Sequence, residues 1–431
     1  MSSKLHVAIV GGGITGVMLA IGLHARNVSC TIYERASGFS ETGAGIGISP
    51  TAEAAMQLID PAVHAAFQAA VTPNGEDYFQ WIDGHTTDSV IYRLPLGKDG
   101  FQGGRRSQLL HCWAALIPPD LVQFRKELVG LNDSGTTVTL QFGDGTTATA
   151  DAVIGCDGVW SRTRSLVFGD AYRATYSHQY CFRAVVPMAD ARVALGNQRS
   201  STRFMFKGAM LNILVVVSDP NPWPETSSEV DGGIVKEASP ASSATSRGNR
   251  EDAERAFSSW QKCSRAVVSL LPSKPDRWAI FDLMEHPLPT YARGRIAVAG
   301  DAAHAAGPHL GAGAGFGIED ALVLAELLAG IARDNHTTTN TSAFPARITA
   351  ALSAYSDMRY DRTQWLVRHT RDAVDLFQWR DESAGQDTEL FQREITWRFH
   401  HIWNNDASAM VTQAQDTYDE RLKQSLLSKS E

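Results

Sequence analysis

The feature that most constrains the fold is a glycine-rich turn near the N-terminus, Gly11-Gly12-Gly13-Ile14-Thr15-Gly16. An apolar, β-branched run over 7–10 precedes the turn and predicts a strand, and the pattern over 15–26 predicts a helix after it. Residues 30–33 predict a second strand, which ends at Glu34. Such glycines permit a tight turn and a close approach to a pyrophosphate, and a terminal acidic residue can accept ribose hydroxyl protons. The segment therefore predicts a βαβ unit that binds a dinucleotide.

Two later strands are predicted to end in comparable turns. The buried run 152–155 leads into Asp157-Gly158, and the run 295–299 leads into Gly300-Asp301. Small residues over 311–315 then precede a long amphipathic helix predicted over 316–332. An aspartate at a strand end can bind the ribityl hydroxyls of a flavin, and the positive end of a helix suits the negative charge of a reduced flavin ring. The third motif therefore favours FAD as the bound dinucleotide.

The length of 431 residues suggests two domains, or one large domain with an insertion. Between the second and third motifs, runs over 182–186, 203–206 and 211–217 predict an antiparallel sheet. Residues 224–250 are rich in Ser, Glu, Gly and Ala without periodicity, and they are predicted to form a surface loop. From residue 350 onward the pattern is helical.

Composition excludes several classes of function. The formal charge of −8 argues against binding to nucleic acid, which requires a basic surface. No run approaches the ~18 apolar residues of a membrane span, and the N-terminus lacks the apolar core of a signal peptide. We therefore expect a cytoplasmic protein with no membrane span. The five cysteines are expected to be reduced thiols, and no cluster has the spacing of metal ligands, so no metal is predicted.

Together the three motifs resemble those of the single-component flavoprotein aromatic hydroxylases, the family of para-hydroxybenzoate and salicylate hydroxylases. The resemblance extends over residues 5–375, and it is greatest to fungal hydroxylases that dearomatise polyketide phenols in secondary metabolism. The matching stretches include 41–46, 105–106, 182–184, 218–220 with Trp223, and 308–309. The resemblance implies an FAD-dependent monooxygenase that takes NADPH or NADH as a transient reductant, together with O2 and a small aromatic substrate.

The resemblance also implies an α/β fold class: a Rossmann-like FAD-binding domain, an inserted, mainly antiparallel β-sheet substrate domain, and a helical C-terminal region. The FAD-binding domain is expected to be discontinuous, over 1–75, 100–172 and 285–375. The substrate domain is expected over 76–99 and 173–284, and the C-terminal region over 376–431.

The residues that match the family's cofactor contacts fall in the three motifs and in two further segments. The resemblance implies that the pyrophosphate turn is formed by Gly11, Gly13 and Gly16 and that Glu34 binds the adenosine ribose. It implies that Gly45 and Gly47 lie in a loop beside the flavin and that Arg106 contacts FAD. Asp157 matches an Asp-Gly motif associated with both FAD and the nicotinamide cofactor, and the ribityl and ring contacts match Asp301, Gly313 and Ala314.

Arg183 matches an arginine implicated in catalysis in the dearomatising branch. A phenolate reacts with electrophilic oxygen far better than a phenol does, so the site needs a cation near the phenolate oxygen. A guanidinium stays charged and can hold an oxyanion in a fixed geometry. His304 and His309 are alternative candidates for a general base, although His304 is expected to be a packing residue and His309 to border the active site.

The sequence departs from the family pattern after residue 207. Relatives have a turn and a second strand with a tyrosine that pairs with the catalytic arginine, whereas here Gly208-Ala209-Met210 runs directly into the strand at 211. Three functions therefore stay open: the monooxygenase, an NAD-dependent dehydrogenase, which the first motif alone would allow, and a flavin-binding homologue that has lost oxygenase activity. The substrate, the choice between NADPH and NADH, and the oligomeric state also stay open.

Overall fold

The structure is a computed structural model, and it describes residues 5–39, 45–71, 78–97, 100–196, 210–223, 244–337 and 344–427. The strands within these ranges are, in chain order, β1 (His6–Val10), β2 (Ser29–Glu34), β3 (Gly45–Ile48), β4 (Tyr78–Ile82), β5 (Val90–Pro95), β6 (Gln102–Arg105), β7 (Val122–Phe124), β8 (Leu128–Asp133), β9 (Val138–Phe142), β10 (Thr147–Ala150), β11 (Ala152–Gly155), β12 (Thr175–Pro187), β13 (Met210–Ser218), β14 (Thr245–Arg247), β15 (Asp276–Asp282), β16 (Ala292–Arg293) and β17 (Ile296–Val298).

The helices within the same ranges are α1 (Ile14–Ala25), α2 (Pro50–Ile59), α3 (Pro61–Ala70), α4 (Arg106–Ala114), α5 (Arg162–Phe168), α6 (Met188–Leu195), α7 (Arg250–Ala256), α8 (Lys262–Ser269), α9 (Asp301–His304), α10 (Gly313–Thr337), α11 (Phe344–Phe377), α12 (Thr388–Trp403) and α13 (Ala407–Leu427). None of these described helices is both long and apolar enough to cross a membrane.

A six-stranded sheet in the order β16-β17-β11-β1-β2-β7 forms the centre of the first domain. β17, β11, β1, β2 and β7 are parallel, and β16 adds an antiparallel edge. The middle of β1, Val7 to Ile9, is completely buried, as expected for a parallel strand that is covered on both faces. Helices α1 and α10 pack so closely that a Cβ added at Gly22 would lie 2.9 Å from the Ala325 Cβ.

The inserted sheet has the strand order β13-β12-β15-β14 and is antiparallel throughout. Side chains alternate between its two faces, because successive residues of a strand point in opposite directions. One face carries Phe182, Ile213 and Val215, which form an apolar core with α6, α7 and α8. The opposite face carries Arg183 and, directly across from it in register, Leu214.

The C-terminal helices pack around a further apolar cluster. Aromatic side chains of the β4–β5 hairpin pack against α12, with ring centroids 5.3 Å apart for Phe79 and Phe399 and 6.2 Å apart for Trp81 and Phe391. Helix α13 packs along α11 and also contacts α2 and α10. The predicted helical region is therefore confirmed, with breaks between α11, α12 and α13.

The predicted fold class, a parallel nucleotide-binding sheet with an inserted antiparallel sheet and C-terminal helices, is confirmed. The strand predicted over 203–206 and most of the loop predicted over 224–250 lie outside the described residues. The domain boundaries stay predictions.

Candidate active site

The predicted cofactor residues lie at the carboxyl ends of four neighbouring parallel strands. Gly11 follows β1, Glu34 ends β2, Asp157 follows β11 and Asp301 follows β17. These strands are adjacent in the order β17-β11-β1-β2. Ligands of open α/β sheets bind in the crevice beyond this edge. The sheet therefore brings together three motifs that are far apart in the sequence.

The glycines of the first motif differ in what surrounds them. Gly11 has a φ of +104°, and a Cβ there would lie 2.5 Å from the carbonyl oxygen of Cys156. A Cβ at Gly16 would overlap the carbonyl oxygen of Gly11, whereas a Cβ at Gly13 would meet no atom of the described residues within 4 Å. Gly13 is the N-cap of α1 and supplies no side-chain acceptor to the first-turn N–H groups. The open space before them is suited to an anion.

Glu34 is held beside this turn by two backbone N–H groups. Its carboxylate accepts a hydrogen bond of 2.6 Å from the N–H of Gly12 and one of 2.7 Å from the N–H of Ala36. A carboxylate has about four acceptor positions, so capacity is left for ribose hydroxyls.

The carboxylate of Asp157 is occupied by the first turn of α5. It accepts hydrogen bonds from the Ser161 hydroxyl at 2.5 Å, the Thr163 N–H at 2.9 Å and the Thr163 hydroxyl at 3.0 Å. These contacts give Asp157 a structural role in shaping the second motif. The contact to FAD and the nicotinamide cofactor that the resemblance implied stays a prediction.

Arg164 ties the second motif to the third. Its guanidinium donates hydrogen bonds to three backbone carbonyls, those of Val159 at 2.6 Å, Tyr172 at 2.8 Å and Ala302 at 2.9 Å. The side chain is only 2% exposed. No sequence spacing indicates the contact with Ala302, because the acceptor is a backbone carbonyl in another motif.

Asp301 is exposed, whereas the next four residues of its loop are buried. A Cβ added at Gly313, the first residue of α10, would lie 3.8 Å from the Asp301 Oδ1. Gly300, with a φ of +61°, and Gly317 both pack against Thr15 of the first motif, whose hydroxyl a Cβ at Gly300 would approach to 2.5 Å. The third motif thus presents a carboxylate beside a helix N-terminus, next to the first motif.

The remaining predicted cofactor residues surround these motifs. β3 pairs with β6 so that Gly45 lies opposite Arg105, and Arg106 begins α4. A Cβ at Gly47 would overlap the ring of Phe101, so packing alone accounts for this glycine. Ala314 lies in the first turn of α10.

FAD fits this set of groups. The open N-terminus of α1 suits its pyrophosphate, and Glu34 on the neighbouring strand suits the adenosine ribose. Asp301 beside the N-terminus of α10 suits the ribityl chain and the flavin ring, because the helix end favours negative charge on the ring. Gly11 and Gly16 carry no side chain, so the backbone of the turn between β1 and α1 can approach the cofactor closely.

Arg183 lies on the face of the inserted sheet that is turned toward the predicted FAD-binding residues. Asn212, two positions from Leu214 on β13, accepts a hydrogen bond of 3.3 Å from the N–H of Gly45. The half-buried guanidinium of Arg183 lies over the ring of Trp278, 5.1 Å from its centroid. Such cation–π contacts stabilise and orient the cation.

A cavity of about 320 Å³ opens beside this sheet. Its walls are mostly apolar, and the lining includes Leu214, Val216, His309, Val374 and Phe377. Burial lowers the pKa of His309 to about 4. The imidazole is therefore neutral near pH 7. Together with Ser264 and Gln378 it gives the mostly apolar cavity a few neutral hydrogen-bonding groups.

His304 does not face this cavity. It is 1% exposed, and its Nε2 lies 2.6 Å from the Oδ2 of Asp320, which is itself paired with Arg359. The expectation that His304 is a packing and hydrogen-bonding residue agrees with this position.

The five cysteines are free thiols, as expected, and three of them are buried. Burial raises the pKa of the Cys181 thiol to about 11. Cys181 is thus protonated near pH 7 and is not a reactive thiolate.

Comparison with known proteins extends these observations. The profile of a protein family described as "FAD binding domain" matches residues 4–340. The FAD-dependent monooxygenase orf3 of Aspergillus niger is 40% identical over 450 aligned positions, which cover 98% of each chain. The FAD-dependent monooxygenase pigN of Monascus ruber is 42% identical, with 97% of this chain and 98% of the relative covered. A solved salicylate hydroxylase substrate complex superposes with a TM-score of 0.78 at 26% identity, over 96% of this chain and 98% of that one.

The alignment with the Aspergillus niger relative has more positions than this chain has residues, 450 against 431, so the relative carries residues that this chain lacks. The NAD-dependent dehydrogenase that the first motif alone would allow is set aside, because the similarity extends over nearly the whole chain. The protein belongs to the family of FAD-dependent monooxygenases that are built on this FAD-binding domain.

Proposed function

We propose that this enzyme hydroxylates a phenolic, salicylate-like aromatic compound and that Arg183 holds the substrate's phenolate oxygen. The observation that carries the proposal is the position of Arg183 on the same sheet face as Asn212, which is hydrogen-bonded to Gly45 in the predicted flavin loop. A cation is thus directed toward the space beside the cofactor residues. The name of the solved salicylate hydroxylase supports this substrate class.

The environment of Arg183 suits a bound phenolate. Its guanidinium is charged at any working pH and offers several N–H donors in a planar fork. Stacking over Trp278 limits the rotation of the side chain. A preorganised cation of this kind favours the phenolate over the phenol and aligns the ring before reaction.

The cavity beside Leu214 supplies the apolar part of the proposed site. Val374 and Phe377 from α11 line it together with Leu214 and Val216 from β13. Its volume of about 320 Å³ lies at the lower end of the usual range for small-molecule sites, which is about 300–1,000 Å³. Apolar walls accept an aromatic ring and exclude water from the reacting groups.

When bound, FAD supplies the redox chemistry: reduced by NADPH or NADH, it activates O2, so that one oxygen atom enters the substrate and the other leaves as water. The nicotinamide cofactor is proposed to bind only transiently, because the sequence holds one dinucleotide turn and FAD occupies it. The reaction is proposed to take place in the cytoplasm.

The FAD ligands proposed from the resemblance are retained: Gly11, Gly13, Gly16, Glu34, Gly45, Gly47, Arg106, Asp157, Asp301, Gly313 and Ala314. Direct contact is best supported for Gly13, Glu34 and Asp301, which border open space or are exposed or partly exposed. We also propose that the FAD-binding domain comprises residues 1–75, 100–172 and 285–375. The substrate domain then comprises residues 76–99 and 173–284, and the C-terminal region residues 376–431.

The variant Arg183→Lys tests the proposal. Lysine keeps the positive charge but loses the planar fork, so we expect product formation to fall by about 10²-fold or more. FAD affinity should not change, because Arg183 belongs to the inserted sheet. Hydrogen peroxide released per NADPH consumed should rise, since a poorly aligned ring accepts oxygen less often.

Arg277→Lys is the matched control. Arg277 lies on the neighbouring strand of the same sheet and also stacks on aromatic rings, those of Tyr180 and Trp223, but it points to the opposite face. The control variant should keep its product yield per NADPH. Equal losses in the two variants, or wild-type yield in Arg183→Lys, would show that Arg183 does not hold the substrate.

A further inference from the structure

A buried network of charged side chains connects α9, α10 and α11. Arg359 bridges two neighbouring carboxylates of α10, with its Nη1 2.8 Å from the Glu319 Oε2 and its Nε 2.7 Å from the Asp320 Oδ1. Arg362 donates two further hydrogen bonds to Glu319, of 2.8 and 2.9 Å. His304 contacts the other oxygen of Asp320 at 2.6 Å. Glu319, Asp320 and Arg359 are completely buried.

Stability alone gives little reason for such a network. Removing an ion from water costs several kcal/mol, and a well-packed apolar cluster is often as stable as a buried ion pair. Burial raises the pKa of Asp320, but the attraction of His304 and Arg359 and the hydrogen bonds outweigh it, so the pKa lies well below its usual range. Asp320 is therefore a charged group held at a defined position.

The hydrogen bonds assign the proton of His304. The Oδ2 of Asp320 can only accept, so the Nε2 of His304 is the donor. The Nδ1 is buried without a hydrogen-bond partner among the described residues.

The same Oδ2 of Asp320 accepts a hydrogen bond of 2.9 Å from the N–H of Gly300. Gly300 directly precedes Asp301 and has a φ of +61°. On the other side of Asp301, the carbonyl of Ala302 accepts a hydrogen bond of 2.9 Å from Arg164. The backbone is thus held by a buried charged side chain on each side of the exposed Asp301.

We infer that Asp320 is a positioning residue for the flavin: its carboxylate, aligned by His304 and Arg359, fixes Gly300 and thereby holds Asp301 in the orientation that binds the ribityl chain. The inference rests on the role of Asp301 in the proposed function. It adds that the orientation of Asp301 is set from α10 and α11, two helices outside the loop itself.

Asp320→Asn tests this inference, because it changes a few contacts and keeps the size of the side chain. The remaining oxygen can still accept from Arg359. The new NH2 group can donate to His304, whose proton then moves to Nδ1. The N–H of Gly300, however, loses its acceptor and meets a donor.

For Asp320→Asn we expect the Kd for FAD to rise by about tenfold or more, the scale expected when a buried N–H loses its acceptor. The measurement is titration of the apoprotein with FAD, followed by flavin fluorescence. The visible circular dichroism of the bound flavin should also change, since it reports the orientation of the ring. A wild-type Kd together with a wild-type spectrum would overturn the inference.

Glu326→Gln is the matched control. Glu326 also lies on α10 and is also paired with an arginine, Arg26, but it has no contact with the third motif. This variant should bind FAD like the wild type with an unchanged flavin spectrum. The same loss in both variants would mean that any ion pair of α10 has this effect, and the inference would fail.

A second pair of variants tests the positioning role of Asp320 if Asp320→Asn does not fold. His304→Gln retains a side-chain N–H that can donate to Asp320, whereas His304→Ala does not. We expect His304→Ala to weaken FAD binding and to alter the flavin spectrum, and His304→Gln to restore most of both. Equal FAD affinity in the two variants would contradict the inference.

Asp301→Ala separates this inference from the proposed function. If FAD affinity is unchanged in Asp301→Ala, the proposed ligand fails and the positioning role fails with it. If Asp301→Ala weakens FAD binding but Asp320→Asn does not, only the positioning role fails.

Discussion

His309 is a half-buried titratable residue of the proposed substrate cavity. It lines the apolar cavity together with Leu214 and Phe377. Its ring packs over Gly307, where an added Cβ would meet the ring at 3.0 Å and the Thr370 side chain at 3.2 Å. The lowered pKa means that the folded protein keeps this imidazole neutral, so His309 can shape the cavity without competing with Arg183 for an anion.

The lowered pKa of His309 should make stability depend on pH. In the unfolded chain it takes up a proton near the ordinary histidine pKa of about 6.5, but in the folded protein only near 4. Between these values the unfolded state binds more protons, so stability should fall as the pH falls, by up to about 1.4 kcal/mol per pH unit. His309→Gln removes this contribution, so the variant should gain stability relative to the wild type as the pH falls from 6.5 toward 4.

Urea unfolding of the apoproteins at a series of pH values measures this effect. His24→Gln, at an exposed histidine of α1, serves as the control and should follow the wild type. A constant difference between wild type and His309→Gln across this pH range would show that His309 is accessible to protons in the folded state.

Single residues were predictable where a local pattern fixes their chemistry. Asp157 and Asp301 show what such a pattern leaves open: each comes just after a strand end, and the family resemblance assigned both to the cofactor. In the structure Asp157 is occupied by Ser161 and Thr163, whereas Asp301 is exposed. The pairing of Asp320 with Arg359 had no local signal, because it joins two helices.

At the scale of single elements, two glycines of the turn between β1 and α1 are proposed to have different roles: Gly16 is required for packing, and Gly13 for cofactor binding. A Cβ at Gly16 would overlap the carbonyl of Gly11, whereas a Cβ at Gly13 enters open space. We therefore expect Gly16→Ala to destabilise the apoprotein. Gly13→Ala should leave apoprotein stability within about 1 kcal/mol of the wild type, since the site tolerates a methyl group, but it should weaken FAD binding.

Urea unfolding of the apoproteins and FAD titration measure the two effects separately. If Gly13→Ala bound FAD like the wild type, the space before α1 would not be the pyrophosphate site. If Gly16→Ala left the apoprotein as stable as the wild type, the close approach to Gly11 would not constrain the turn.

Most elements of the nucleotide-binding sheet were predictable, because their apolar runs end at glycine turns. Helix α10 begins at Gly313, three residues before the predicted start, since its glycine-rich first turn has low helix propensity and depends on tertiary contacts. Strand β12 runs from Thr175 to Pro187, longer than the predicted 182–186. A register shift between Tyr176 and Tyr180 interrupts the alternation on which a sequence prediction depends.

At the scale of the whole molecule, two sheets meet at one site. The parallel sheet presents most of the cofactor residues and the inserted sheet presents Arg183. The hydrogen bond from the Gly45 N–H to Asn212 joins the inserted sheet to the two-stranded β3–β6 sheet beside the cofactor residues. The sequence predicted both sheets, but not their contact, because Asn212 lies in an ordinary alternating strand. The region after residue 207, where the sequence departs from the family pattern, lies partly outside the described residues.

The central claim is that this enzyme inserts an oxygen atom from O2 into a phenolic substrate. Isotopically labelled oxygen tests it most directly. The purified protein, loaded with FAD, would be incubated with NADPH, 18O2 and a panel of salicylates and resorcylic aldehydes, with products detected by mass spectrometry. We predict a product that carries one 18O atom and forms only when both FAD and NADPH are present. An FAD-loaded protein that consumes NADPH and releases only hydrogen peroxide, with no labelled product from any compound of the panel, would contradict the claim and identify the chain as a flavin-binding homologue that has lost its oxygenase activity.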